Sequence, residues 1–155
     1  MMKISLLIDH PEAVEKIAKW YYDEWASIAP QMTEEMMYQK VLEKAANRDV
    51  IPLAIVVHHE EELIGVLELK LRENKSYPEY EHWIGGIFVD PLWRGQGIAG
   101  QMISEIKEKA RKLGVKTLYL QCENYNVVLY QKYGFEILHQ ANYHVVETTI
   151  MRYQQ

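Results

Sequence analysis

The stretch Gly85-Gly86-Ile87-Phe88-Val89-Asp90-Pro91-Leu92-Trp93-Arg94-Gly95-Gln96-Gly97-Ile98-Ala99-Gly100 constrains this chain more than any other. Its first residues read as an apolar strand, Asp90 to Trp93 as a connector, and Gly95 to Gly97 as a turn that opens a helix near Ile98. Glycines at such a junction let backbone N–H groups approach a ligand with no side chain in the way. The helix start adds unpaired donors and a partial positive charge. An anion, above all a phosphate group, belongs there.

Spacing discriminates between phosphate ligands. Gly95, Gly97 and Gly100 satisfy G-x-G-x-x-G, and Glu123 stands at the end of the next strand, as a dinucleotide site requires. Against that reading, the strand stops at Val89, with five residues between it and Gly95, and only 55 residues follow Gly100. That remainder is too short for further strand-helix-strand units, and the preceding strands pattern as antiparallel. A P-loop is excluded because no Gly-Lys-Ser/Thr follows.

Arg94-Gly95-Gln96-Gly97-Ile98-Ala99 resembles the pyrophosphate loop of the GNAT superfamily of acyl-CoA-dependent N-acyltransferases, whose pattern is Gln/Arg-x-x-Gly-x-Gly/Ala. Ile87-Phe88-Val89-Asp90-Pro91 resembles that family's central strand, and Leu129-Tyr130-Gln131-Lys132-Tyr133-Gly134-Phe135-Glu136 its C-terminal segment. The resemblance covers Trp83 to Phe135 closely and the N-terminal half by element order. It implies a mixed α/β (α+β) fold: a mostly antiparallel sheet of about seven strands, a central parallel pair that splays apart, and flanking helices.

The order of elements agrees with that fold in one domain spanning residues 1–155. Lys3 to Ile8 reads as a strand and Asp9 with Pro11 as a helix start, with Val14, Ile17, Ala18, Tyr21 and Trp25 on one apolar face. Thr33 caps a second helix reaching Ala46. Leu53 to Val57 and Leu63 to Leu71 form a hairpin around a charged turn. The strand from Tyr80 to Val89 alternates, placing Glu81, Trp83, Gly85, Ile87 and Val89 on one face. Its paired glycines predict a bulge or close approach of a ligand. The helix from Ile98 ends at Gly114, and Thr117 to Cys122 completes a right-handed parallel crossover. A short helix from Asn126 to Lys132 and an antiparallel pair, Phe135 to Ala141 and Val145 to Tyr153, close the sheet.

The resemblance also implies site residues. Backbone groups of Ile87 and Val89 would receive the pantetheine arm as an added strand, with Phe88 between them. Arg94, Gly95, Gln96, Gly97, Ile98 and Ala99 would hold the pyrophosphate, with a charge-assisted contact from Arg94. Tyr130 stands where the family's general-acid tyrosine stands. The family's cofactor-contacting Asn falls seven residues before that tyrosine, where this chain has Glu123, so Asn124 and Asn126 are the candidates for that contact. For the base that relieves the acceptor ammonium, Glu81 leads over His82 and Glu68, because Glu81 opens the central strand beside Trp83.

The expected activity is transfer of an acetyl group from acetyl-CoA to a primary amine by direct attack in a ternary complex. The rival of another class is an acyl-CoA-binding sensor or scaffold of the same fold, and a nicotinamide-dependent reductase is a distant third. Aromatic and methionine residues Trp20, Tyr21, Tyr22, Trp25, Met32, Met36 and Met37 either pack in the core or line the acceptor site.

The formal charge of −5 argues against nucleic acid and anionic membrane as partners. The apolar N-terminal run is too short for a signal peptide or membrane span, and the single cysteine, Cys122, has no internal disulfide partner; both point to the cytoplasm. Adjacent His58 and His59 point to opposite faces of a strand, so no metal site is expected. The acceptor is a small molecule or peptide amine, the acidic balance favours a cationic one, and a homodimer is the default assembly.

Overall fold

The computed structural model describes residues 1–155. Seven strands form one sheet: β1 (Met2–Leu6), β2 (Leu53–His59), β3 (Glu62–Leu71), β4 (His82–Val89), β5 (Thr117–Cys122), β6 (Glu136–Tyr143) and β7 (Val146–Gln154). Their spatial order is β1-β2-β3-β4-β5-β7-β6, and every neighbouring pair is antiparallel except β4 and β5. The helices are α1 (Val14–Trp25), α2 (Glu34–Lys44), α3 (Ile98–Lys112) and α4 (Val127–Lys132).

Each helix carries the apolar stripe its position requires. Ile98, Met102, Ile103, Ile106 and Ala110 of α3 are buried against Leu53, Ile55, Ile64, Leu69 and Ile84 on one face of the sheet. On the other face, Val14, Ile17, Ala18 and Tyr21 of α1 pack on Ala54, Val56, Val66 and Phe88. The sheet is therefore covered on both faces over β2 to β4, and its inner strands read as continuous apolar runs rather than alternating ones.

Element ends follow the local chemistry. Thr33 Oγ1 accepts from the Met36 N–H at 3.1 Å and caps α2. Gly114, at φ 83°, ends α3 in the left-handed conformation, and the Val115 N–H reaches back to the Ala110 carbonyl at 2.9 Å. At the N-terminus the expected helix start at Asp9 is instead two short 3-10 turns, Leu7–Asp9 and Pro11–Ala13. Asp9 does not cap them; it binds the Arg48 guanidinium, with Oδ2 3.2 Å from Nη1.

The alternation expected along β4 is corrected by a bulge. Val66 pairs with Phe88 but Glu68 with Gly85, so β4 spends one extra residue over this span, and Gly86 there has φ 57°. Past the bulge the faces exchange. Phe88 joins Trp83 on the α1 side, its ring 4.9 Å from that of Trp20, while Ile87 and Val89 pack on the α3 side.

Candidate functional site

The parallel pair is held at one point. Trp83 of β4 is opposite Tyr119 of β5, and no further pair joins the two strands. Beyond it, the facing edges from Ile84 to Val89 and from Leu120 to Cys122 diverge and leave backbone donors and acceptors unladdered. A sheet edge in that state accepts an extended ligand as it would accept another strand. The closed end is sealed by aromatic rings: Tyr80 stacks on Tyr119 at 4.4 Å, and the Trp83 indole N–H donates to the Tyr80 carbonyl at 2.7 Å.

A cleft of about 800 Å³ runs through the divergence. On its β5 side stand Cys122, Asn126 and Tyr130, and Gly86 and Ile87 form its β4 wall. Burial, with a smaller contribution from the neighbouring Cys122, raises the Tyr130 hydroxyl well above an ordinary tyrosine. It therefore remains a proton donor throughout the physiological range. The Cys122 thiol is pushed up to about 11 by burial and, secondarily, by Glu123. A thiol so shifted is a poor nucleophile.

At the open end of the divergence the glycine loop leads into α3. Gly95 has φ 79° and Gly97 φ 81°, a conformation glycine adopts without strain. A methyl built on either would meet no atom within 4 Å. The start of α3 has neither a side-chain cap nor an acidic residue in its first turn. Its first N–H groups thus have no side-chain acceptor and no acidic neighbour opposes the helix dipole, which is the chemistry of an anion site. Arg94 lies against the end of β4: its Nε donates to the Val89 carbonyl at 2.8 Å, and its guanidinium sits 5.1 Å from the centre of the Phe88 ring.

At the other end, on the α1–α2 side, the cleft holds charges that local spacing does not reveal. Glu68 of β3 is 3 % exposed. Its Oε1 lies 3.5 Å from Lys44 Nζ of α2 and 3.9 Å from Lys70 Nζ, and Lys70 binds Glu73 at 2.9 Å. Burial alone would lower the Lys70 ammonium, but Glu73 and Glu68 together hold it above an ordinary lysine. The Tyr21 hydroxyl donates to the Gly86 carbonyl at 2.7 Å. A side chain on Gly86 would lie 3.0 Å from the Glu68 carboxyl carbon, so Glu68 faces the bulge directly.

The sequence-predicted residues separate by this geometry. Ile87, Tyr130 and Asn126 line the cleft, whereas Arg94 to Ala99 lie outside its lining, on the connection that runs from the end of β4 into α3. Phe88 pairs with Val66 of β3, and its side chain is buried in the α1 core. Asn124 turns away, its Oδ1 accepting from Thr149 Oγ1 at 2.9 Å. Glu81 is placed outside the cleft: it precedes β4 at the sheet rim, half exposed, with Oε2 3.1 Å from Arg72. Its position at the N-terminal end of β4, beyond the sealed Trp83–Tyr119 end of the divergence, is the reason. The aromatic and methionine set divides likewise. Tyr21 is core with a functional hydroxyl, Trp20 packs on Phe88, and Trp25, Met32 and Met37 line the cleft.

The chain belongs to the acetyltransferase (GNAT) family, whose sequence pattern it matches over residues 14–135. No curated protein sequence matches it. Among solved structures, it is similar to an acetyltransferase of the GNAT family from Streptococcus pneumoniae, at 16 % identity over 99 % of both chains with a TM-score of 0.72. The PaiA N-acetyltransferase of Thermoplasma acidophilum in complex with coenzyme A is 19 % identical over 100 % of this chain and 99 % of its own, with a TM-score of 0.69. A GNAT family acetyltransferase from Elizabethkingia anophelis with acetyl-CoA bound is 20 % identical over 76 % of this chain and 82 % of its own, with a TM-score of 0.57. No helix is long and apolar enough to cross a membrane.

Proposed function

We propose that this chain transfers an acetyl group from acetyl-CoA to a primary amine by direct attack within one ternary complex. The observation that supports the reading is the single pairing of β4 with β5, which leaves their facing edges unladdered beyond Trp83 and Tyr119, in a chain whose α3 begins uncapped and whose Tyr130 lines the cleft.

In this reading acetyl-CoA is the donor substrate. Backbone N–H groups of Gly95 to Ala99 and the Arg94 guanidinium bind its pyrophosphate. The edge at Ile87, Phe88 and Val89 takes its pantetheine arm, and Asn126 stands beside that arm. The amine nitrogen forms a bond to the thioester carbonyl carbon and the carbon–sulfur bond breaks. Tyr130 gives its proton to the departing thiolate, and the proton shed by the amine goes to Glu68 directly or through water. Holding both reactants in one cleft supplies most of the acceleration. Glu68 replaces Glu81 as base because it faces Gly86 inside the cleft.

The test is thiol release from acetyl-CoA with a panel of amines, comparing wild type with Tyr130→Phe. Loss of the acid is expected to lower kcat by about 10²-fold or more with acetyl-CoA affinity retained. A wild-type protein that binds acetyl-CoA but releases no thiol with any amine would leave the sensor reading in its place.

A further inference from the structure

Two buried polar atoms on the acceptor side of the cleft have no partner. Asn74, 4 % exposed, staples the segment between β3 and β4 over the sheet. Its Oδ1 accepts from the Ser76 N–H at 3.0 Å, which fixes the orientation of its amide. Its Nδ2 therefore donates, to Gln121 Oε1 at 3.0 Å and to the Asn142 carbonyl at 3.1 Å. Gln121 must then present its own Nε2 on the other side, where that buried donor meets nothing. Thr148, 5 % exposed, has an equally unpartnered Oγ1.

The two are neighbours by register. Gln121 is opposite Ile150 across the β5–β7 ladder, so Thr148 sits diagonally from it on the same face. Both side chains line the cleft. Across the divergence, the Trp83–Tyr119 pairing carried two residues onward sets Gly85 against Gln121. A methyl at Gly85 would lie 3.6 Å from Lys70 Nζ, and one at Gly86 3.0 Å from Glu68 Oε2. A cation and an anion thus stand side by side on one wall, and the residues of the other wall carry two buried, unpartnered polar atoms just behind its surface. Leaving a buried polar group unmade costs roughly 1–3 kcal/mol, which is sustained where a ligand completes the bond.

We propose that Gln121 and Thr148 form a carboxylate subsite and that the acceptor is a free amino acid. Its amine faces Glu68 at the Gly86 bulge. Its carboxylate takes the Gln121 Nε2–H and the Thr148 Oγ1–H, with Lys70 as counter-charge. The charges of Lys44, Lys70, Glu68 and Glu73 already balance, and a zwitterion enters without disturbing that balance, whereas a simple cation adds an unmatched charge to a partly buried site. Trp25, Met32 and Met37 are left for the side chain, favouring an apolar amino acid. The inference rests on the acetyl-transfer reading and replaces the expectation of a simple cationic acceptor.

The test compares free amino acids with their decarboxylated amines: L-phenylalanine with 2-phenylethylamine, L-methionine with 3-(methylthio)propylamine, and each amino acid with its carboxamide. Binding is read by calorimetry in the presence of coenzyme A, and turnover by thiol release. The free acids are expected to bind at least about tenfold more tightly than amines or carboxamides. Gln121→Leu and Thr148→Val are expected to erase that preference, and the coenzyme A affinity measured alongside distinguishes a lost subsite from a lost fold. Preferred binding of the free acids without thiol release would support the subsite while overturning the acetyl-transfer reading. Equal or better binding of the amines or carboxamides, or no response to any free acid, would overturn the subsite even where amines are acetylated.

Discussion

The Tyr21 hydroxyl is hydrogen-bonded at 2.7 Å to the carbonyl of Gly86, tying the middle of α1 to the β4 bulge 65 residues later. That bond fixes the one backbone irregularity that turns Ile87 and Val89 toward α3 and Phe88 toward α1. Replacing Gly86 by Ala puts a methyl 2.6 Å from the Tyr21 oxygen at φ 57°. The variant is expected to lose about 2–3 kcal/mol in urea unfolding, combining backbone strain with overlap. Tyr21→Phe alone should lose about 1 kcal/mol. In the double variant the overlap is relieved, so the two losses should sum to more than the measured one. Strict additivity would mean that the two residues are not coupled.

The buried pair Lys44–Glu68, 3.5 Å apart, predicts an asymmetry. Glu68→Gln leaves the Lys44 ammonium without its counter-charge and is expected to cost about 3 kcal/mol. Adding Lys44→Met to Glu68→Gln should restore stability but not turnover, since the proposed base is still missing. Thermal melting and thiol release on wild type and these two variants check this. Recovery of both together would reduce Glu68 to a structural role.

Alkaline pH should destabilise the protein through groups whose protons the fold holds more tightly than the unfolded chain does. The contribution from Cys122 is complete below pH 9.0 and lost as pH rises toward about 11. Tyr21 and Tyr130, also raised by burial, add to the loss above pH 10. The urea midpoint is therefore expected to fall between pH 8.5 and 10.5, about, and less steeply in Cys122→Ala. The same variant should keep thiol-release activity within about threefold, because Cys122 carries no acyl group.

Arg94 fastens the end of β4 through Val89 and immediately precedes the glycine loop, where the proposed reading gives it a second role on the pyrophosphate. Arg94→Ala is expected to raise the acetyl-CoA Kd about tenfold at low salt. The difference from wild type should shrink as ionic strength rises, since the lost contact is an exposed charge pair. A salt-independent effect would assign Arg94 to fastening alone.

What the sequence made legible was local. The loop from Arg94 to Ala99, the helix beginning at Ile98 and its end at Gly114 are written in consecutive residues, and the double glycine marks the β4 bulge. The consequence of the bulge was not legible, because one extra residue exchanges the faces of every position after it, carrying Phe88 away from the side its spacing assigns. The cluster of Lys44, Glu68, Lys70 and Glu73 was hidden for a different reason: α2 and β3 meet only in the folded sheet, and each residue alone reads as solvated charge. Asn74 read as loop composition, yet it bridges to β5 and β6. Glu81 looked better placed than Glu68 because period-two spacing says nothing about which end of a strand faces the ligand.

The central claim, that the open start of α3 holds the donor's pyrophosphate, is tested most directly by calorimetric titration of wild type and Gly97→Trp with acetyl-CoA. A side chain at Gly97 meets no atom of the protein within 4 Å at its first carbon, and its strain at φ 81° costs about 1–2 kcal/mol, so the variant is expected to fold with a lowered urea midpoint while its indole fills the phosphate cradle. Saturable binding to wild type that Gly97→Trp abolishes is the predicted result. Undiminished binding by folded Gly97→Trp, or none by wild type, would contradict it.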